Sequence, residues 1–130
     1  MPSCLSQHWL SARPVRQRTA LQALRGYFHE RDPEALGKEF RPLLSAGPAR
    51  TVAATLQGLC DCLIRGYRSV PRIHTRHRRW LSRDELRLLQ LLQHSDPIRA
   101  AAIARHLVCA AMLDVFVTRS CHLAGLLATA

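Results

Sequence analysis

With 130 residues and a mass of 14.7 kDa, the chain has room for one domain and not for two independent cores. Leu and Ala dominate, aromatics are 5% of the chain and no stretch alternates as a half-buried strand does; this excludes a sheet-based fold and makes the expected class all-α. A net charge of +10 points to anionic partners: nucleic acid, an acidic protein or an anionic membrane surface.

The first 13 residues carry no periodicity and read as a loose N-terminal tail, with no basic-then-apolar leader. A first helix is expected over 15–30, with Leu21, Leu24 and Phe28 inward and Arg16, Arg18, Gln22 and Arg25 outside. Asp32-Pro33-Glu34 restarts a helix, and Leu36, Phe40, Leu43 and Leu44 give it an apolar stripe that Pro42 kinks or ends. Gly47-Pro48 is a second stop-and-start signal. The helix after it, about 49–67, has Val52, Leu56, Leu59, Cys60, Leu63, Ile64 and Tyr67 at spacings of three and four, and is the expected central element.

Beyond the basic connector, 68–81, Ser82 and Glu85 form a capping box that opens a fourth helix to about residue 93. Its leucines point almost all round, so it should be sandwiched between other helices. Asp96-Pro97 caps a last helical region running towards Leu127, with a break expected near 118–121. The expected architecture is a single-domain bundle of about five helices joined as helical hairpins. Arg105, His106, Asp114 and Arg119 interrupt the longest apolar region, so no membrane span is expected.

The connector is the segment that invites a functional reading. No acid occurs between Asp61 and Asp84, whereas Arg65, Arg68, Arg72, Arg76, Arg78, Arg79 and Arg83 do, with His74 and His77. Guanidinium forks match phosphate geometry, and Tyr67 and Trp80 at its edges offer stacking surfaces. The candidate anion-binding set is Arg68, Arg72, His74, Arg76, His77, Arg78, Arg79 and Trp80. A second reading stands beside it: a solvated loop whose arginines find Asp61, Asp84 or Glu85 across the fold. The bias itself has a compositional side, since 18 of the 19 basic residues are Arg, as GC-rich coding favours.

Other chemistry is poorly supplied. Cys60 and Cys62 lie about 200° apart on a helix and cannot share an ion, and His74-x-x-His77 has no structural-zinc spacing. No metal or cofactor is therefore expected. A helix-turn-helix over 84–107 fails on content, because its second helix reads Ile98, Arg99, Ala100, Ala101, Ala102, Ile103, Ala104 and offers few groups to a groove. No Gly-rich loop, nucleophile elbow or His-Glu-x-x-His motif is present, so an enzyme is not expected. Five cysteines, an odd number, suit reduced thiols and a cytoplasmic setting. The expected function is a small basic binding or regulatory module meeting an anionic macromolecule, nucleic acid or acidic protein. The alternative is a protein–protein adaptor or homo-oligomer working through its Leu-rich helices.

Overall fold

The computed structural model describes residues 9–129, with the side chain of Thr129 left aside. It is all-α: among the described residues there are six α-helices and no β-strand. They are α1 (Val15–Glu30), α2 (Pro33–Phe40), α3 (Ala46–Gly66), α4 (Arg83–Leu92), α5 (Pro97–Ala104) and α6 (Leu113–Thr129), with 3₁₀ turns at Leu10–Ala12 and Ala110–Met112.

Local chemistry sets most of the boundaries. Asp32 and Asp96 are N-caps whose carboxylates accept from Glu34 N and Ile98 N, and each precedes a first-turn proline. Arg31 ends α1 in the left-handed region, φ 59°. α2 stops at Phe40, ahead of Pro42. α3 begins earlier than Gly47-Pro48 suggests, from Ser45, because a proline in the first turn gives up an amide that has no partner there anyway.

The α1, α2 and α3 helices pack on one another, as do α4, α5 and α6, and the two groups meet along α3 and α6. One apolar cluster runs through both, from Leu10 to Leu127. α4 is sandwiched as its all-round leucines require: Leu88, Leu89, Leu91 and Leu92 are all buried.

The expected last helix differs. It breaks at residues 105–112 rather than near 118–121, which makes six helices instead of about five. The chain leaving α3 competes for the backbone there: Arg68 N donates to Leu107 O at 3.0 Å and Cys109 N to Gly66 O at 2.7 Å, pairing Tyr67 with Val108. Gly66 allows this approach, since a Cβ on it would lie 2.8 Å from Met112 Cβ. Near 118–121 the polar residues stay helical by bonding back, Thr118 Oγ1 to Asp114 O and Ser120 Oγ to Val117 O. The break leaves a 19-residue helical stretch, Ala110–Ala128, that is long and apolar enough by length and composition to cross a membrane. Phe116, Ser120, Leu123 and Leu127 along it are buried against the rest of the fold.

Candidate functional site

The connector is an ordered strap, and a buried ion pair holds it. Arg25, expected on the outer face of α1, is 0% exposed. Its Nε donates to Glu85 Oε2 at 2.6 Å and its Nη2 to Glu85 Oε1 at 3.0 Å. The same guanidinium donates to the carbonyls of Arg78 (2.7 Å) and Trp80 (3.1 Å). The connector lies over α1 and turns that helix's outer face into an inner one, which is why a position one step from Leu24 is buried.

Glu85 is the other half of the anchor, also 0% exposed. Its carboxylate accepts from Ser82 N at 2.9 Å, closing the capping box, and from His74 N at 3.3 Å. Ser82 Oγ accepts from Glu85 N and donates to Arg72 O. Asp84 takes the backbone amide of Arg72 at 2.8 Å. From α1, Gln22 Nε2 donates to Arg76 O and His29 Nε2 to Ile73 O. Backbone groups from Arg72 to Trp80 are thus largely satisfied by the protein, as a segment fixed against a core requires.

The arginines expected as one anion-binding set are divided. Arg76 is committed to acids: Nη1 pairs with Glu39, Nε lies 3.8 Å from Glu30, and the side chain crosses Gly26 on α1. These are not the acids the sequence suggested, since Asp61 accepts from Tyr27 and Glu85 from Arg25. Arg68 is turned towards Arg105 O at the α5 end, and Arg72 sits beside the start of α4. His74 is half-buried between the two ends of the strap. Arg68, Arg72, Arg78 and Arg79 are exposed, and among the described residues none of them forms an ion pair.

His77, Arg78 and Arg79 do come together. Together with the acid-paired Arg76 they line a cleft of about 370 Å³ whose other walls include Trp9, Leu10 and Gln22. Trp9 belongs to the stretch expected as loose tail, of which residues 1–8 lie outside the described part. Residues 9–13 are held in place: Leu10 is buried, its N donates to Arg79 O at 2.9 Å, and Trp9 pairs with Trp80. The two indole rings lie 4.4 Å apart at 39°. Trp80 therefore backs the ring that lines the cleft, while Tyr67 pairs with Val108 at the far end of the connector. The one hint of Trp9's role in the sequence is a large aromatic stranded in a polar segment.

A second basic surface lies between α2 and α3, where Lys38, Arg41 and Arg50 line a cleft of about 500 Å³ with Glu34. Among the described residues no three His, Cys, Asp or Glu side chains converge as metal ligands would. Cys60 and Cys62 are both buried in α3, and Cys62 Sγ accepts from Arg119 Nη1 at 2.9 Å. Burial, with Asp61 adding to it, pushes the Cys60 thiol far above its ordinary range, so it stays neutral and unreactive. Compared with family models, curated proteins and solved structures, the chain matches none.

Proposed function

We propose that this chain is a non-enzymatic helical binding module that meets an anionic macromolecule through the cleft beside its connector. The observation that carries the reading is the contrast within the strap. Its backbone is pinned by Arg25 and Glu85, while Arg78 and Arg79 stand exposed at one cleft without an acid. Cations on a fixed backbone lose less freedom on binding than cations on a mobile loop, so such a surface favours recognition over mere solvation. The site is smaller than the eight residues first considered: Arg78, Arg79 and His77, with Arg72 and Arg68 outside the cleft and Arg76 already neutralised.

The test is binding to heparin at low salt, by wild type and two charge variants. Arg78→Ala with Arg79→Ala should weaken binding several-fold more than Lys38→Ala, Arg41→Ala and Arg50→Ala together. Equal weakening, or no binding by wild type, contradicts the proposal.

A second reading rests on a different surface. Ile98 is 81% exposed and Val115 44%, beside an apolar cleft of about 530 Å³ between α5 and α6 that Leu113 and Val117 line. On that reading the chain is a homo-oligomer, and the contact is α5 with α6 rather than the buried leucines of α4. Light scattering decides it: a dimer that Ile98→Asp dissociates supports it, and a monomer at all concentrations removes it.

We further read the chain as one domain of stacked helical hairpins, a reading supported by the single apolar cluster. Ala110–Ala128 we take as a core helix and not a membrane span, because Arg119 on it is bonded to Gly58 O and Cys62. The free thiols of Cys60, Cys62, Cys109 and Cys121 support placing the protein in the reducing cytoplasm.

A further inference from the structure

The cleft at the connector has two unlike walls, and an anion alone uses only one of them. We infer that its ligand is a single-stranded nucleic acid, with one base laid on Trp9 and the neighbouring phosphates on Arg78 and Arg79. This rests on the anionic-partner reading and narrows it to one class of macromolecule.

The cleft's unpaired cations are Arg78 and Arg79, with His77 and the acid-paired Arg76 beside them; Trp9 also lines it, and Trp80 packs against Trp9 with ring centroids 4.4 Å apart at a tilt of 39°. A sulfated polysaccharide or an acidic peptide would occupy the arginines and leave the indole unused. A nucleic acid supplies phosphate and a flat π-face at adjacent positions of one chain, which is the pairing this cleft offers. Single strands are favoured over duplex because a duplex keeps its base faces inside the stack, out of reach of a ring at the surface. The size agrees: about 370 Å³ lies in the range of small-ligand clefts, suited to a base with its sugar and too small for a duplex.

The α5 helix does not compensate as a groove reader. α5 is eight residues long and turns Ala100 and Ala104 inward, leaving Ile98, Arg99 and Ala102 outside. The walls are also fixed before any ligand arrives. Leu10 N holds Arg79 O, and the neighbouring carbonyls of Arg78 and Trp80 are turned the other way onto Arg25. The aromatic and cationic walls are therefore joined through one short backbone pairing, and stacking on Trp9 needs little further ordering.

The chain has two tryptophans and both are in this site, so tryptophan fluorescence, excited selectively over the two tyrosines, reports on it alone. The full chain is titrated at low salt with ten-residue oligothymidylate and oligodeoxyadenylate, a ten-base-pair duplex, heparin and polyglutamate. Both single strands should bind and quench the fluorescence, the duplex should bind at least about ten-fold more weakly, and heparin should bind without quenching. Trp9→Ala should weaken single-strand binding about ten-fold while sparing heparin, and Trp9→Phe should restore most of the loss. Circular dichroism checks the fold of each variant, and wild-type quenching stands without them. Equal binding of heparin and oligonucleotide with unchanged fluorescence overturns the inference and leaves the anionic reading standing. So does tighter binding of the duplex or of polyglutamate. Failure to bind any of these polyanions overturns both.

Discussion

Arg25→Ala should release the connector from α1 while the helices stay folded. The substitution leaves the Glu85 carboxylate buried with only the amides of Ser82 and His74, and it takes the donor from Arg78 O and Trp80 O. Removing one partner of a buried ion pair costs about 3–5 kcal/mol. Each buried acceptor left without a donor adds about 1–3 kcal/mol, unless the segment lifts and finds water. The strap can lift, so the two effects overlap and a loss of about 4–5 kcal/mol is expected. A chain of this length has a total stability on the order of 7–20 kcal/mol, so the variant keeps its fold with a detached connector. Urea denaturation measures the loss, and brief trypsin digestion measures the detachment, because Arg76, Arg78 and Arg79 are all cleavage sites. Wild type should resist cutting there and Arg25→Ala should not. Arg25→Met with Glu85→Gln should be less destabilised than the sum of the single changes, since no unpaired charge is left buried. A loss below about 1 kcal/mol, the level of an exposed pair, with unchanged trypsin resistance, would refute the anchor.

Gly26→Ala places a Cβ 2.6 Å from Arg76 Cζ, so the guanidinium must swing off α1 and away from Glu39. Stability should change by no more than about 1 kcal/mol, because the helix gains propensity as the ion pair loosens, but trypsin should now cut at Arg76. Gly66→Ala meets Met112 Cβ, which cannot swing away, and should lower the unfolding free energy by about 1–3 kcal/mol in urea. At alkaline pH stability should fall. Burial raises the Cys60 thiol, and burial with the Asp61 hydrogen bond raises Tyr27. Both groups hold their protons in the folded state while the unfolded chain releases them. The Tyr27 contribution is complete below the ordinary phenol value, about 10. The Cys60 contribution is complete below the ordinary thiol range, about 8.5, and is lost above it at up to about 1.4 kcal/mol per pH unit. Cys60→Ala should remove the first part of that slope, as read from urea midpoints at pH 7 to 10.

Much of the helical framework is legible in the sequence because it is written locally. Asp-Pro caps, the Ser82/Glu85 box and the three-and-four spacing of α3 each specify their element from a handful of neighbouring residues. Two features escape because they depend on partners far along the chain. The break at residues 105–112 is imposed by Tyr67 pairing with Val108, about forty positions away, in a run with no proline or glycine. Arg25 reads as a solvent-facing residue by its own helix's pattern, and only the strap laid over α1 makes it core. The site shows the same division. The connector's charge was visible, but which arginines remain free depends on Glu30 and Glu39 reaching Arg76, and the aromatic wall depends on Trp9 meeting Trp80 across 71 positions.

The salt dependence of binding is the most direct test of an anchored connector that offers two unpaired cations at one cleft. Each phosphate neutralised on a duplex contributes about −0.9 to the slope of log K against log salt, and about −0.7 on a single strand. Contacts by Arg78 and Arg79 give a single-strand slope of about −1.4. Arg78→Ala should reduce it by about 0.7. A slope steeper than about −4 would mean that the whole arginine run engages as a mobile charge cloud. A slope near zero, or one that Arg78→Ala leaves unchanged, would contradict binding at this cleft.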